Sequence, residues 1–266
     1  MPYENTPVGL IAAITTPFNA NNTIDEGAFV AHFQWMYQNG IQRILIAGTT
    51  GEFFSLSADE RKHLLRLAAK HFNGHIMFHA GAGSLVDTLD LSIFAANEGA
   101  HSVAVIMPWF LAKLEHRGLV AYFTEISAVL DVPFLIYNFP KHTQVRLTPA
   151  ILAEINHFGI KDSSGDLSLI PHTPNYFIGS DRQLLKAYEV GARGFVSARA
   201  NGYPSLYAEL DMASREDRLS EKSRLLHEKV CDVCDLLSGT NQIQLVKQTI
   251  RNAVPGYPTS VRLPLV

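Results

Sequence analysis

Short apolar runs ending in glycine, serine or threonine alternate with longer amphipathic stretches along most of the chain. The runs cover residues 8–14, 43–47, 76–80, 102–107, 133–137, 158–161, 176–179 and 194–198. Strands buried on both faces read as continuous apolar runs of this kind, not as alternating ones. Between them the spacing predicts helices. Residues 25–39 start on an acidic cap, Asp25, place Phe29, Phe33, Met36 and Tyr37 on one face, and end near Gly40. Ser57 and Glu60 form a capping box, after which Leu64, Leu65, Leu67 and Ala68 point inward. Further helical stretches are 85–97, 116–130, 148–157, 181–190 and 203–213. Pro171 and Pro174 leave room for little more than one turn after the sixth strand. Eight strands alternating with helices predict an α/β fold, a (β/α)8 TIM barrel, with a doubly wound open sheet as the alternative. The barrel takes residues 1–213. Helices at 218–237 and 242–253 make 214–266 a helical extension of the same single domain.

Composition narrows the function classes. With 266 residues, 47% of them hydrophobic, the chain can bury a full core without disulfides or metals. Its 22 basic and 25 acidic side chains leave a net charge of −3, with no basic excess for nucleic acid or a membrane surface. No apolar run approaches the length of a membrane span, and the N-terminus lacks the basic start of a signal peptide, so a cytoplasmic protein is expected. Phosphate-loop, zinc-protease and nucleophile-elbow motifs are absent, and Gly81-Ala82-Gly83 lacks the third glycine of a dinucleotide fingerprint. His227, Cys231 and Cys234 share a helix face, but mid-helix, where small core or interface cysteines are the better reading than a metal site. His75 and His79 flank a strand without carboxylates nearby, which suits core or pocket-lining roles.

Among nine lysines, Lys161 alone closes an apolar strand, Phe158-Gly159-Ile160, ahead of Asp162-Ser163-Ser164-Gly165. The C-terminal ends of barrel strands carry the chemistry. A lysine there is partly desolvated, which lowers its pKa and supplies a neutral amine for Schiff-base formation. A structural pairing with Asp162 is the competing reading. Most of the lysines lie in helices or loops, where a solvated ammonium is expected. Strand two ends in Gly48-Thr49-Thr50-Gly51-Glu52, whose glycines free the backbone and whose hydroxyls and N–H groups can cradle a small carboxylate. Strand five ends in Tyr137, a phenol on the same rim.

These residues resemble the dihydrodipicolinate synthase / N-acetylneuraminate lyase family of pyruvate-dependent class I aldolases. The resemblance spans nearly the whole chain: Thr15-Thr16-Pro17-Phe18, Gly48 to Glu52, Tyr137-Asn138-x-Pro140, Lys161-Asp162, Gly191 to Asn201, and Arg262-Leu263-Pro264-Leu265. It implies a barrel with C-terminal helices assembled as a homo-oligomer, a tetramer or dimer. By that similarity Lys161 forms an imine with pyruvate or another 2-oxo acid, Thr49 and Thr50 hold the carboxylate, and Tyr137 shuttles protons. No metal or organic cofactor is implied.

The departures bear on the substrate. Synthases of the family resemble Pro-Tyr-Tyr after strand four, where this chain has Pro108-Trp109-Phe110, and they carry an arginine where it has His142, with Lys141 beside it and Gln144 nearby. A histidine lacks the bidentate grip of arginine on a carboxylate. Sialic acid lyases match in part, through Ser163 and Asp181, with Ala198 where a further hydroxyl would help. Arg199 stands where the family has something small, and reaches a distal carboxylate or pairs with an acid at the rim. Gly51-Glu52-Phe53-Phe54-Ser55-Leu56 is similar to sugar-acid dehydratases. The expectation is a carbon–carbon lyase acting on a 2-oxo acid such as a 2-keto-3-deoxy sugar acid. Ser163, Asp181, Arg199, Lys141, His142 and Phe110 set specificity, and Gly48, Thr49 and Thr50 hold the carboxylate. Dihydrodipicolinate synthase, a keto-deoxy sugar acid dehydratase and a catalytically silent 2-oxo-acid-binding member are the alternatives.

Overall fold

The computed structural model describes residues 7–111 and 113–265. Eight parallel strands close into a barrel in chain order: β1 (Gly9–Ala13), β2 (Arg43–Ile46), β3 (His75–His79), β4 (Ser102–Ile106), β5 (Phe134–Asn138), β6 (Gly159–Asp162), β7 (Tyr176–Ile178) and β8 (Gly194–Ser197). Pairing of β8 with β1 closes the ring and excludes an open sheet. Every predicted run holds a strand, with β5 and β6 each reaching one residue further, to Asn138 and Asp162.

Closure follows from burial on both strand faces. Ile11, Leu45, Met77, Ala104, Leu135, Phe177 and Val196 fill the lumen as one apolar cluster. Their neighbours in sequence, such as Leu10, Ile44, Ile76, Val103 and Ile136, pack outward against the helices. Because side chains alternate with a period of two, His79 and Tyr137 stand above Met77 and Leu135 on the lumen face. Lys161 pairs in register with Tyr137 on one side and Phe177 on the other. The apolar plug therefore forms the floor of whatever is built at the strand ends.

The helices are α1 (Glu26–Gln38), α2 (Ala58–His71), α3 (Leu85–Asn97), α4 (His116–Ala128), α5 (Pro140–Thr143), α6 (Pro149–Glu154), α7 (Leu184–Glu189), α8 (Pro204–Glu216), α9 (Glu221–Leu236) and α10 (Gln242–Ala253). Asp25 caps α1 through the Ala28 N–H, and Ser57 with Glu60 completes the capping box of α2. After β6 there is only a 3-10 turn, Leu167–His172, with Pro171 inside it, as the two prolines lead one to expect. Two other helical stretches differ from expectation. α6 is shorter than its pattern, because the backbone of Ile155 is already extended as the chain turns toward β6. The 181–190 stretch starts as a 3-10 turn, Asp181–Gln183, before α7.

α9 packs on α8 and on the Asp181–Gln183 turn, while α10 packs on the 3-10 turn Arg199–Asn201 that follows β8. Beyond α10 the chain is tied back to the β2 loop. The Arg262 guanidinium donates to both Glu60 oxygens, to Ser55 O and to Asn22 O. Among the described residues no helix is long and apolar enough to cross a membrane.

Candidate active site

A cavity of about 830 Å³ opens at the C-terminal ends of the strands. Its walls include Thr49 and Thr50 after β2, Tyr137 on β5, Lys161 and Ser163 on and after β6, Gly179 and Asp181 after β7, and Arg199 after β8. Lys141 and His142, on α5, line the same cavity. Nine of the eleven residues singled out from the sequence thus share one wall. Two do not line it. Gly48 lies beneath it, buried, with its carbonyl accepting the Phe53 N–H to close the turn. Phe110 is 91% exposed and lies in a separate apolar groove of about 210 Å³ with Trp109, Leu111 and Tyr122. Within one chain, its expected place in the substrate site is not met, because the loop after β4 points it away from the barrel mouth.

Lys161 is buried at 7% exposure and donates from Nζ to Ser163 Oγ at 2.9 Å. The same Nζ stands 3.5 Å from the centre of the Tyr137 ring. Asp162 is occupied elsewhere. Its Oδ1 accepts from Asn138 Nδ2 at 2.6 Å, its Oδ2 from the Tyr176 hydroxyl at 2.6 Å, and both oxygens from the Ser164 hydroxyl. Alternation along β6 sends the two side chains to opposite faces, and among the described residues Lys161 has no bonded carboxylate. Burial pushes its pKa from 10.5 down to about 7, with the Asp162 charge opposing. Gly179 makes room for this arrangement, since a Cβ there would collide with the Ser163 hydroxyl.

The Tyr137 hydroxyl is 3.1 Å from Thr49 Oγ1. Burial pushes its pKa up to about 12, with the hydrogen bonds from Thr49 and Ser163 opposing, so the phenol keeps its proton. Thr49 sits in a turn shaped by left-handed backbone at Ala47 and Glu52, φ 53° and 58°. The carbonyl of Gly51 accepts from Thr16 Oγ1 at 2.7 Å, and a Cβ at Gly51 would lie 2.9 Å from Ile14 O, a contact only glycine avoids. The backbone N–H groups of Thr49 and Thr50 are not engaged by any bond among the described residues.

Opposite, Asp181 is buried. Its Oδ2 accepts from Ser197 Oγ at 3.1 Å, the Tyr207 hydroxyl at 2.9 Å and Arg199 Nη1 at 3.2 Å. Burial raises its pKa, with Arg199 opposing. His227 Nε2 contacts Asp181 O at 2.9 Å, and Cys234 is buried with its Sγ 3.9 Å from Asp181 Oδ2. That face of α9 thus supports a pocket residue. Among the described residues no group of three or more His, Cys, Asp and Glu is placed to hold a metal ion.

Sequence reasoning missed several contributors. Lys247, on α10, is not a solvated lysine: it is fully buried, with Nζ 2.6 Å from Glu52 Oε1 and 2.7 Å from Ser260 O. Glu52 Oε2 accepts the Arg262 N–H at 2.9 Å, so this pair anchors the β2 turn to the C-terminal segment. Leu265 and the residues from Gly239 to Ile243 line the cavity. Arg61 is buried and donates to the carbonyls of His79 and Gly81, fixing the end of β3. His79 is held neutral chiefly by burial and next by the Arg61 charge, its ring edge-on to Phe53 and Tyr137.

The sequence matches the model of the dihydrodipicolinate synthetase family over residues 6–266. The chain belongs to that family. A 4-hydroxy-tetrahydrodipicolinate synthase of Macrococcus caseolyticus is 34% identical over 215 residues, covering 76% of this chain and 72% of the relative. The synthase of Alkaliphilus oremlandii is 30% identical over 97% of this chain and 92% of its own length. Among solved structures, YagE, a prophage protein of the dihydrodipicolinic acid synthase family from E. coli in complex with pyruvate, superposes with a TM-score of 0.88 at 26% identity. That match covers 97% of this chain and 92% of the other. This member of the dihydrodipicolinate synthetase family is a lyase with the fold of the class I aldolases.

Proposed function

We propose that this family member makes or breaks a carbon–carbon bond next to the carbonyl of a 2-oxo acid, through an imine on Lys161. The observation that carries the reading is a buried strand-end amine with a hydroxyl partner, no bonded carboxylate and a pKa lowered to about 7 by burial. The neutral amine attacks C2 of the oxo acid, water leaves, and a protonated imine forms. In a bound 4-hydroxy-2-oxo acid the C4 hydroxyl then gives its proton to the Tyr137–Thr49 relay as the C3–C4 bond breaks. The bonding pair passes into the imine to give an enamine, and the aldehyde departs. Proton return to C3 and hydrolysis release pyruvate and restore Lys161. Condensation runs the same steps backwards. The backbone N–H groups of Thr49 and Thr50, unengaged among the described residues, hold the 2-oxo acid's carboxylate with help from the Thr50 hydroxyl.

A 2-keto-3-deoxy sugar acid or related hydroxy-oxo acid is the favoured substrate class, with Ser163 and Asp181 for its hydroxyls. The second reading, condensation of pyruvate with aspartate semialdehyde, has the names of the relatives behind it. Against it, burial, Lys141 and Lys161 lower the pKa of His142, which leaves a neutral ring where the synthases grip a carboxylate. Self-association belongs to the proposal too. Phe110 at 91% and Leu111 at 60% exposure form an apolar patch that a second copy of the chain would remove from water.

Borohydride reduction in the presence of pyruvate, followed by peptide mass mapping, tests the mechanism. An adduct on Lys161 is expected; no adduct, or one on another lysine, contradicts it. Sedimentation velocity at increasing concentration tests the association.

A further inference from the structure

The Arg199 side chain has more hydrogen-bonding capacity at the cavity wall than the fold uses. A guanidinium carries five N–H donors. Here Nη1 makes one bond to Asp181 Oδ2, at 3.2 Å, and Nε has no partner. The side chain keeps 21% of its surface exposed, against 3% for Asp181. Its backbone is fixed, because the Arg199 and Ala200 N–H groups both donate to Ser197 Oγ. Ser197 Oγ in turn donates to Asp181. The guanidinium is thus anchored through Nη1, its Nε is buried, and the exposed part of the side chain lines the cavity.

The charges of the wall point the same way. Its lysine, arginine and carboxyl side chains are Lys141, Lys161, Arg199 and Asp181. Once a 2-oxo acid is bound as the protonated imine, the imine's charge is matched by the substrate's own C1 carboxylate. Lys141 and Arg199 then face a single carboxylate, Asp181, which already shares one oxygen among three donors. Behind the wall the Glu52 and Lys247 charges cancel, and Asp162 and Arg61 are of opposite sign. One positive charge of the cavity wall is left without a counterpart.

We propose that Arg199, held by Asp181, forms a subsite for a second acidic group at the end of the substrate remote from the 2-oxo acid. The substrate is then a 4-hydroxy-2-oxo diacid rather than its neutral-ended counterpart. This rests on the imine reading and narrows it. Planar pairing of a carboxylate across two guanidinium N–H groups gives both strength and direction. Neutral His142 is not the anchor, and Lys141 beside it adds a second positive charge to the same wall.

The test compares acids matched in length and differing at one end: 4-hydroxy-2-oxoglutarate against 4,5-dihydroxy-2-oxopentanoate, and 2-keto-3-deoxyglucarate against 2-keto-3-deoxygluconate. Substrate loss is followed by NMR, which reads cleavage and dehydration alike. The wild type is expected to favour each diacid about 10–100-fold in kcat/KM, mostly through KM. Raising the salt concentration should narrow the gap. Arg199→Gln should abolish the preference and Arg199→Lys restore part of it. Equal rates, or a preference for the neutral-ended acids, overturn the subsite. A preference that survives Arg199→Gln removes Arg199 from it. The wild-type ratio decides even if the variants do not fold. Pyruvate trapping on the wild type is scored separately, so its failure sinks the imine and not the subsite. In that event calorimetric binding of the same pairs of acids reads the subsite directly.

Discussion

Two lysines are buried among the described residues, and their surroundings make opposite uses of the same side chain. Lys247, fully buried on α10, has a carboxylate at 2.6 Å and a carbonyl at 2.7 Å. Lys161, buried at the end of β6, has one neutral hydroxyl and the face of a tyrosine. Burial lowers the pKa of both, but at Lys247 the Glu52 charge and hydrogen bond counter it directly. At Lys161 the opposing charge, on Asp162, acts without a bond. A buried ammonium with a bonded carboxylate is a fixed tie between segments. Without one it readily gives up its proton, and the product is a nucleophile.

Exchanging each lysine for methionine separates the two roles. Lys161→Met should reduce turnover to background and eliminate pyruvate trapping. It should also raise stability by roughly 1–3 kcal/mol, since a poorly compensated buried amine is replaced by an apolar chain of similar shape. The sign follows from linkage. The folded pKa lies below the unfolded one, so the unfolded state binds more protons, and near neutral pH this costs stability that is recovered between about 7 and 10.5. Urea denaturation at neutral pH checks it.

Lys247→Met should do the reverse. It leaves Glu52 buried without its cation and should cost about 3–5 kcal/mol, lowering the melting temperature by roughly 10 °C. Lys161 should remain trappable in the folded enzyme, and adding Glu52→Gln should recover part of the loss. If Lys247→Met is neutral in a thermal scan, the tie is not what holds the β2 turn.

The smallest expected effect comes from Ser163→Ala, which removes the one hydrogen bond Lys161 makes. A loss of about 1 kcal/mol, or roughly fivefold in the rate of imine formation, is expected in rapid-quench trapping. Loss of trapping altogether would give Ser163 a larger part than orientation.

The barrel was readable because eight strands buried on both faces leave unbroken apolar runs, and α3 and α10 fall on the residues their patterns predict. Lys161 was readable because a charge at the end of such a run is out of place. Lys247 was not. In α10 it sits among Gln242, Gln244 and Gln248, as a solvated lysine would. Its burial depends on Glu52, 195 residues away. Arg61 was hidden in the same way, within a charged helix whose inward face meets the end of β3. Phe110 lies outside its own chain's barrel cavity, because a motif position fixes a residue in sequence while the loop after β4 decides which groove it enters. Arg199 stood out in sequence, and only the structure decided that it is anchored on Asp181.

The pH dependence of imine formation at Lys161 tests the central claim most directly. Pyruvate is mixed with the enzyme between about pH 5.5 and 9.5, quenched with borohydride at short times, and the adduct on Lys161 quantified by mass spectrometry. A pKa lowered to about 7 predicts a rate that climbs through neutrality and levels off above it. A rate still rising toward pH 10, as for an ordinary lysine, or an adduct on Lys247, would contradict the account.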